Sequence, residues 1–138
     1  MISKLLFFSW LSGITIASLV DYSTVTGLGL SKGFGTGFWM HAGAYFLAGC
    51  LFVVAFGGSG HRIFLPALIA LFLLGIIFEV VQLRLPRRTF NPIDIAANGI
   101  GLIAFYGCYS LNRIKSKATI PKSSRNGAET LEDGRKIR

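Results

Sequence analysis

Glu79, Gln82, Asp94 and Asn98 sit inside two strongly apolar segments, and Arg84, Arg87 and Arg88 gather near the connection between them. Ionisable groups placed within membrane-length apolar runs are costly, so they face a protein interior or a wet cavity and are functional candidates by default. Glu79 and Gln82 are three apart, Asp94 and Asn98 four apart, and Gly101 three beyond, so each set shares one helix face. Earlier in the chain His41 and Tyr45 repeat the four-residue spacing. A carboxyl and an imidazole can pass protons, and guanidinium groups can hold a phosphate. The candidate ligand-binding residues are therefore His41, Tyr45, Glu79, Gln82, Arg87, Arg88, Asp94 and Asn98, with Glu79, His41 and Asp94 as candidates for proton transfer if there is catalysis.

Each residue also has a plainer role. Asn91-Pro92-Ile93-Asp94 reads as a helix start, with Asn91 as N-cap, Pro92 at the first helical position and Asp94 in the first turn, where a carboxylate suits the helix dipole. Gln82 and Asn98 can hydrogen-bond between helices, and Ala97 with Gly101 can permit close packing. Arg87 and Arg88 can anchor at headgroups. Glu79 and His41 resist such readings. A lone carboxyl deep in a span keeps its proton or pairs with a cation, here His41 or a nearby arginine, directly or through Gln82 and water.

The elements that position these groups follow from composition. Of 138 residues, 52% are hydrophobic and 14% charged, with mean hydropathy +0.60, which is a balance for one small membrane domain and not for a soluble one. Apolar runs at residues 5–20, 38–56, 63–85 and 93–111 each approach the roughly 20 residues that cross a bilayer. The first shows no A-x-A-like cleavage site before Asp21, so it reads as an uncleaved helix. Ala44 and Ala48 form a small-xxx-small pair on the second. The expected fold is all-α: a four-helix transmembrane bundle over 1–112, followed by a disordered basic cytoplasmic tail over 113–138.

Counting the rise per residue, Glu79 lies roughly 9 Å and Asn98 roughly 7–8 Å below the end of the bundle that joins the last two spans. Gln82 and Asp94 lie shallower, and His41 starts its span from the same side. Polar groups from three helices thus share one layer. Loop charge sets the direction. With both termini cytoplasmic, Lys4, Arg62, Arg113, Lys115, Lys117, Lys122 and Arg125 lie inside, against Lys32, Arg84, Arg87 and Arg88 outside. The polar layer then falls near the outer leaflet.

Several functions are disfavoured. The net charge of +8 looks like a nucleic-acid signal, but eight of the fourteen basic residues lie at or beyond Arg113, where they suit anionic headgroups, and no recognised nucleic-acid module is present. The five glycines Gly27, Gly29, Gly33, Gly35 and Gly37 lack the strand that precedes a phosphate-binding loop. Cys50 and Cys108 have neither CxxC spacing nor nearby His partners and read as buried free thiols. No cofactor and no metal is expected. Membrane lipids are the expected partners, and a homo-oligomer stays open.

The ordered set His41-x3-Tyr45, Glu79-x2-Gln82-x5-Arg88-x5-Asp94-x3-Asn98-x2-Gly101 resembles the VanZ-like membrane proteins, a family named for its teicoplanin-resistance member. The resemblance covers residues 38–107. The family often carries a Lys shortly before the His, where this chain has Phe38, Trp39 and Met40, so no role is assigned to that cation. The resemblance implies a multi-pass protein of the bacterial cytoplasmic membrane and cell envelope. For the namesake it implies reduced susceptibility to glycopeptide-type antibiotics. The functional expectation is binding or modification of an anionic lipid or cell-wall precursor at the outer leaflet. The alternative is a non-catalytic scaffold or partner subunit whose polar residues only lock the helices together.

Overall fold

A computed structural model describes residues 1–20, 36–57, 61–85 and 90–118 of the chain. Four α-helices account for nearly all of them: α1 (Ile2–Leu19), α2 (Thr36–Phe56), α3 (His61–Gln82) and α4 (Pro92–Ala118). Among the described residues there is no strand. The glycine-rich loop and the arginines 87 and 88 lie outside the described residues.

Ile2–Leu19, Gly37–Phe56 and Ile63–Gln82 are each long and apolar enough to cross a membrane. Their apolar side chains point outward as well as inward. On α3, Ile69, Leu73 and Ile77 are all more than half exposed, while Phe64, Leu68, Leu71 and Phe78 are buried. A helix that is hydrophobic all round suits a surrounding apolar medium, because lipid tails cover the outer face that water would penalise.

The fourth expected span is the long helix α4, which falls short of that apolarity. Its sequence explains why. Ala97, Asn98, Gly101 and Leu102 are buried, while Ile93, Ile100 and Ile103 face outward. Polar and small residues are turned inward, and the mean hydropathy falls accordingly. The helix also continues through Arg113 to Ala118, past the point where the basic tail was expected to lose structure. Arg, Lys and Ala are good helix formers, and cations near a helix C-terminus meet the negative end of its dipole. Residues 119–138 of that tail lie outside the described set.

By compactness the chain divides into Met1–Tyr106 and Gly107–Arg138. In the second unit, the Arg113 guanidinium lies 5.9 Å from the Tyr109 ring centroid. The first unit contains the helix packing that positions the polar residues. Toward one end of its helices, phenylalanine rings pack together. Phe7 meets Phe52 at 5.8 Å and Phe56 at 5.7 Å edge to face, and Phe64 lies tilted against Phe52 at 6.2 Å and Phe105 at 5.9 Å. All four helices contribute rings. Such pairs are worth about 0.5–1.5 kcal/mol each beyond their burial.

Small residues let the helices approach where the rings stop. A side chain added at Gly101 would run into the Ala42 backbone, and one at Gly49 into the Phe105 ring. The expected Ala44/Ala48 pair divides its work: Ala48 is buried, while the Ala44 carbonyl accepts from Trp10 Nε1–H at 3.1 Å and ties α1 to α2.

At the start of α4, Ile93 N–H donates to Asn91 Oδ1 at 3.1 Å, and Asp94 N–H to the Asn91 carbonyl at 3.0 Å. This is the N-cap that Asn-Pro-x-Asp announces, with proline at the first helical position, whose N–H would have no intrahelical partner. Asn91→Ala is expected to cost about 1 kcal/mol of stability. Thermal unfolding in detergent would read the loss, and faster amide exchange at residues 93 and 94 would place it.

Candidate functional site

Asn98, 2% exposed, lies at the centre of the polar layer. Its Oδ1 is 3.1 Å from His41 Nδ1, joining α4 to α2. A carbonyl oxygen only accepts, so Nδ1 carries the hydrogen and Nε2 is turned the other way. There it faces Asp94 Oδ2 at 3.8 Å. His41 and Asp94, with side chains 30% and 21% exposed, form the outer part of the cluster.

Glu79 lies behind them, 1% exposed. Its Oε2 accepts from the Asn91 backbone N–H at 3.1 Å, so the carboxylate of α3 meets the positive end of α4. One ligand atom each from His41, Glu79 and Asp94 lie within 4.8 Å of one another. Three helices therefore bring an imidazole and two carboxyl groups to one point.

Tyr45, one turn beyond His41, is 3% exposed. A Cβ at Gly75 would stand 2.7 Å from both the Tyr45 hydroxyl and Asn98 Nδ2, so glycine makes room for these two groups beside α3. Among the described residues no buried side-chain nitrogen or oxygen lacks a hydrogen-bond partner. That completeness keeps the layer affordable in an apolar setting.

Gln82 takes a different direction. Its Nε2 donates to the Ser18 carbonyl at 3.0 Å, near the end of α1, so its amide fastens α3 to α1 and its interhelical role is the one observed. Three residues of helix turn the chain by about 300°, and the remaining 60° separates Gln82 from Glu79 enough to reach another neighbour.

The structure thus brings together His41, Glu79, Asp94 and Asn98, places Tyr45 and Asn98 both beside Gly75, and turns Gln82 toward α1. Arg87 and Arg88 fall outside the described residues. Ser18 and Gly75 were not among the expected residues. Gly75 had a readable signal, since it lies one turn before Glu79 on the same face. Ser18 had none, because its part is played by a backbone carbonyl.

No protein-family model, curated protein or solved structure matches this chain.

Proposed function

We propose that this chain is an integral protein of the bacterial cytoplasmic membrane, with both termini cytoplasmic, that binds an anionic lipid or envelope precursor near the outer leaflet. The observation that carries the reading is the layered polarity of the cluster. His41 and Asp94 are partly exposed, and Glu79 and Asn98 are buried behind them, all on helices whose outer faces are apolar. A partly exposed polar cluster on apolar, membrane-length helices is suited to a headgroup and not to a soluble substrate. Arg87 and Arg88, in the connection between α3 and α4, supply guanidinium groups for a phosphate, and the ordered VanZ-like residue set supports an envelope role. Glu79, His41 and Asp94 would carry protons in any reaction on the bound molecule. An effect on glycopeptide susceptibility belongs to this reading through the resemblance alone.

Lipid copurified in nanodiscs and identified by mass spectrometry tests the proposal. Arg88→Ala is expected to deplete a specific anionic species by tenfold or more, about 1.4 kcal/mol, while the helical content stays that of the unaltered protein. The scaffold reading is favoured by the bonds that stitch α1 to its neighbours, Trp10 to Ala44 and Gln82 to Ser18. Under it, Arg88→Ala leaves the lipid profile unchanged.

A further inference from the structure

We infer that His41, Glu79 and Asp94 bind a divalent transition-metal ion of the zinc type. The hydrogen on His41 is placed by its neighbour. Because Asn98 Oδ1 takes the Nδ1–H, Nε2 is the ring nitrogen that faces Asp94, and it carries the lone pair whenever the imidazole is neutral. Metal-binding histidines are oriented in this way, with the second ring nitrogen donating to a fixed acceptor. Asn98 is such an acceptor, buried and held between helices.

The distances point the same way. At 3.8 Å, Nε2 and Asp94 Oδ2 are too far apart for a direct hydrogen bond, which for N–H···O closes to about 2.7–3.2 Å. In a tetrahedral site, two metal bonds of about 2.1 Å hold their donor atoms about 3.4 Å apart. The 3.8 Å separation is about 0.4 Å longer than that, whereas a direct hydrogen bond would need it to shorten by at least about 0.6 Å. The widest separation in the set, within 4.8 Å, closes by up to about 1.4 Å, shared between the partly exposed His41 and Asp94 side chains.

Charge and ligand chemistry select the ion. Two deprotonated carboxylates bring −2, which a divalent cation balances in a place where unbalanced charge is expensive. Magnesium and calcium prefer oxygen alone, whereas one imidazole with two carboxylates suits zinc and, next, manganese. Three protein ligands leave a fourth position open for water or a ligand oxygen. The site stands without the anionic-ligand reading. Only the further step, that the ion presents this open position to a phosphate oxygen, rests on that reading, and it would explain how an anion is accepted beside two carboxylates.

The test uses the full chain in nanodiscs of zwitterionic lipid, with any affinity tag removed, stripped by chelator and titrated with Zn²⁺ and then with Co²⁺ as a spectroscopic stand-in. The expected result is about one ion per chain, with cobalt bands of a low-coordinate N/O site. His41→Ala and Asp94→Asn, at partly exposed positions, should each weaken binding at least tenfold. Asn98→Ala should weaken it by about 10–100-fold through loss of orientation. His61→Ala is the control. That residue lies 18 positions before Glu79 on α3, about 27 Å along the helix, and should leave the stoichiometry unchanged. Absence of saturable binding by a folded protein overturns the inference, as does binding that survives both His41→Ala and Asp94→Asn. Because no anionic lipid is present, either outcome leaves the headgroup proposal to be judged separately by the Arg88→Ala lipid profile.

Discussion

Gly101→Val is expected to separate α4 from α2 and to dismantle the polar cluster. The obstacle at this position is the Ala42 backbone, not a flexible side chain, so neither helix can yield without moving as a whole. Overpacking a well-filled interior typically costs about 1–3 kcal/mol, and a backbone obstruction lies at or above the upper end. The location multiplies the effect. Ala42 follows His41, and Gly101 lies one turn beyond Asn98, so the contact that valine would break holds the 3.1 Å bond between those two side chains. We expect a lowered unfolding temperature, loss of metal and lipid binding together, and a shift toward aggregated species on size exclusion. Gly107→Val, on the same helix where an added side chain meets nothing, should leave all three readouts unchanged.

Substitutions at Glu79 should divide by chemistry. Glu79→Leu removes the acceptor of the Asn91 N–H and places an apolar group among buried polar ones, so the start of α4 loses a partner along with the carboxylate. Leaving a fully buried donor unsatisfied costs about 1–3 kcal/mol, and the part-buried Asn91 N–H falls toward the lower end. The variant is expected to unfold earlier and to bind neither ion nor lipid. Glu79→Gln keeps an oxygen for that N–H while removing the charge. It should retain most of the stability and still lose metal affinity by tenfold or more. Thermal unfolding compared with Zn²⁺ titration separates the two effects. If Glu79→Leu left both folding and binding intact, the carboxylate would have no part in either, and the polar cluster would lose its deepest member.

Much of this arrangement was readable before any coordinates. The apolar runs gave four helices, and a rise of about 1.5 Å per residue was enough to place Glu79 and Asn98 at a similar depth, with His41 and Asp94 nearer the same end. The cap at Asn91 was readable because its chemistry is local. What depends on how helices rotate against one another was not readable. Gln82 shares a depth with its neighbours, yet its amide meets Ser18 on α1, a partner set by helix adjacency and not by spacing. The phenylalanine layer escaped notice for the same reason: Phe7, Phe52, Phe64 and Phe105 have no shared period along the chain and meet only after the helices have paired. The possibility of an ion was hidden too, since the three donors come from three helices and form no local ligand motif.

The two ends of the helical unit are fastened by different means, and their compliance should differ as a result. At the Phe end, rings from every helix interlock, and opening it would forfeit many contacts at once. At the other end the close approach of Gly101 to Ala42 is supplemented by separate hydrogen bonds, such as His41 to Asn98 and Gln82 to Ser18. On heating, the interlocked rings should therefore be the last part of the unit to loosen.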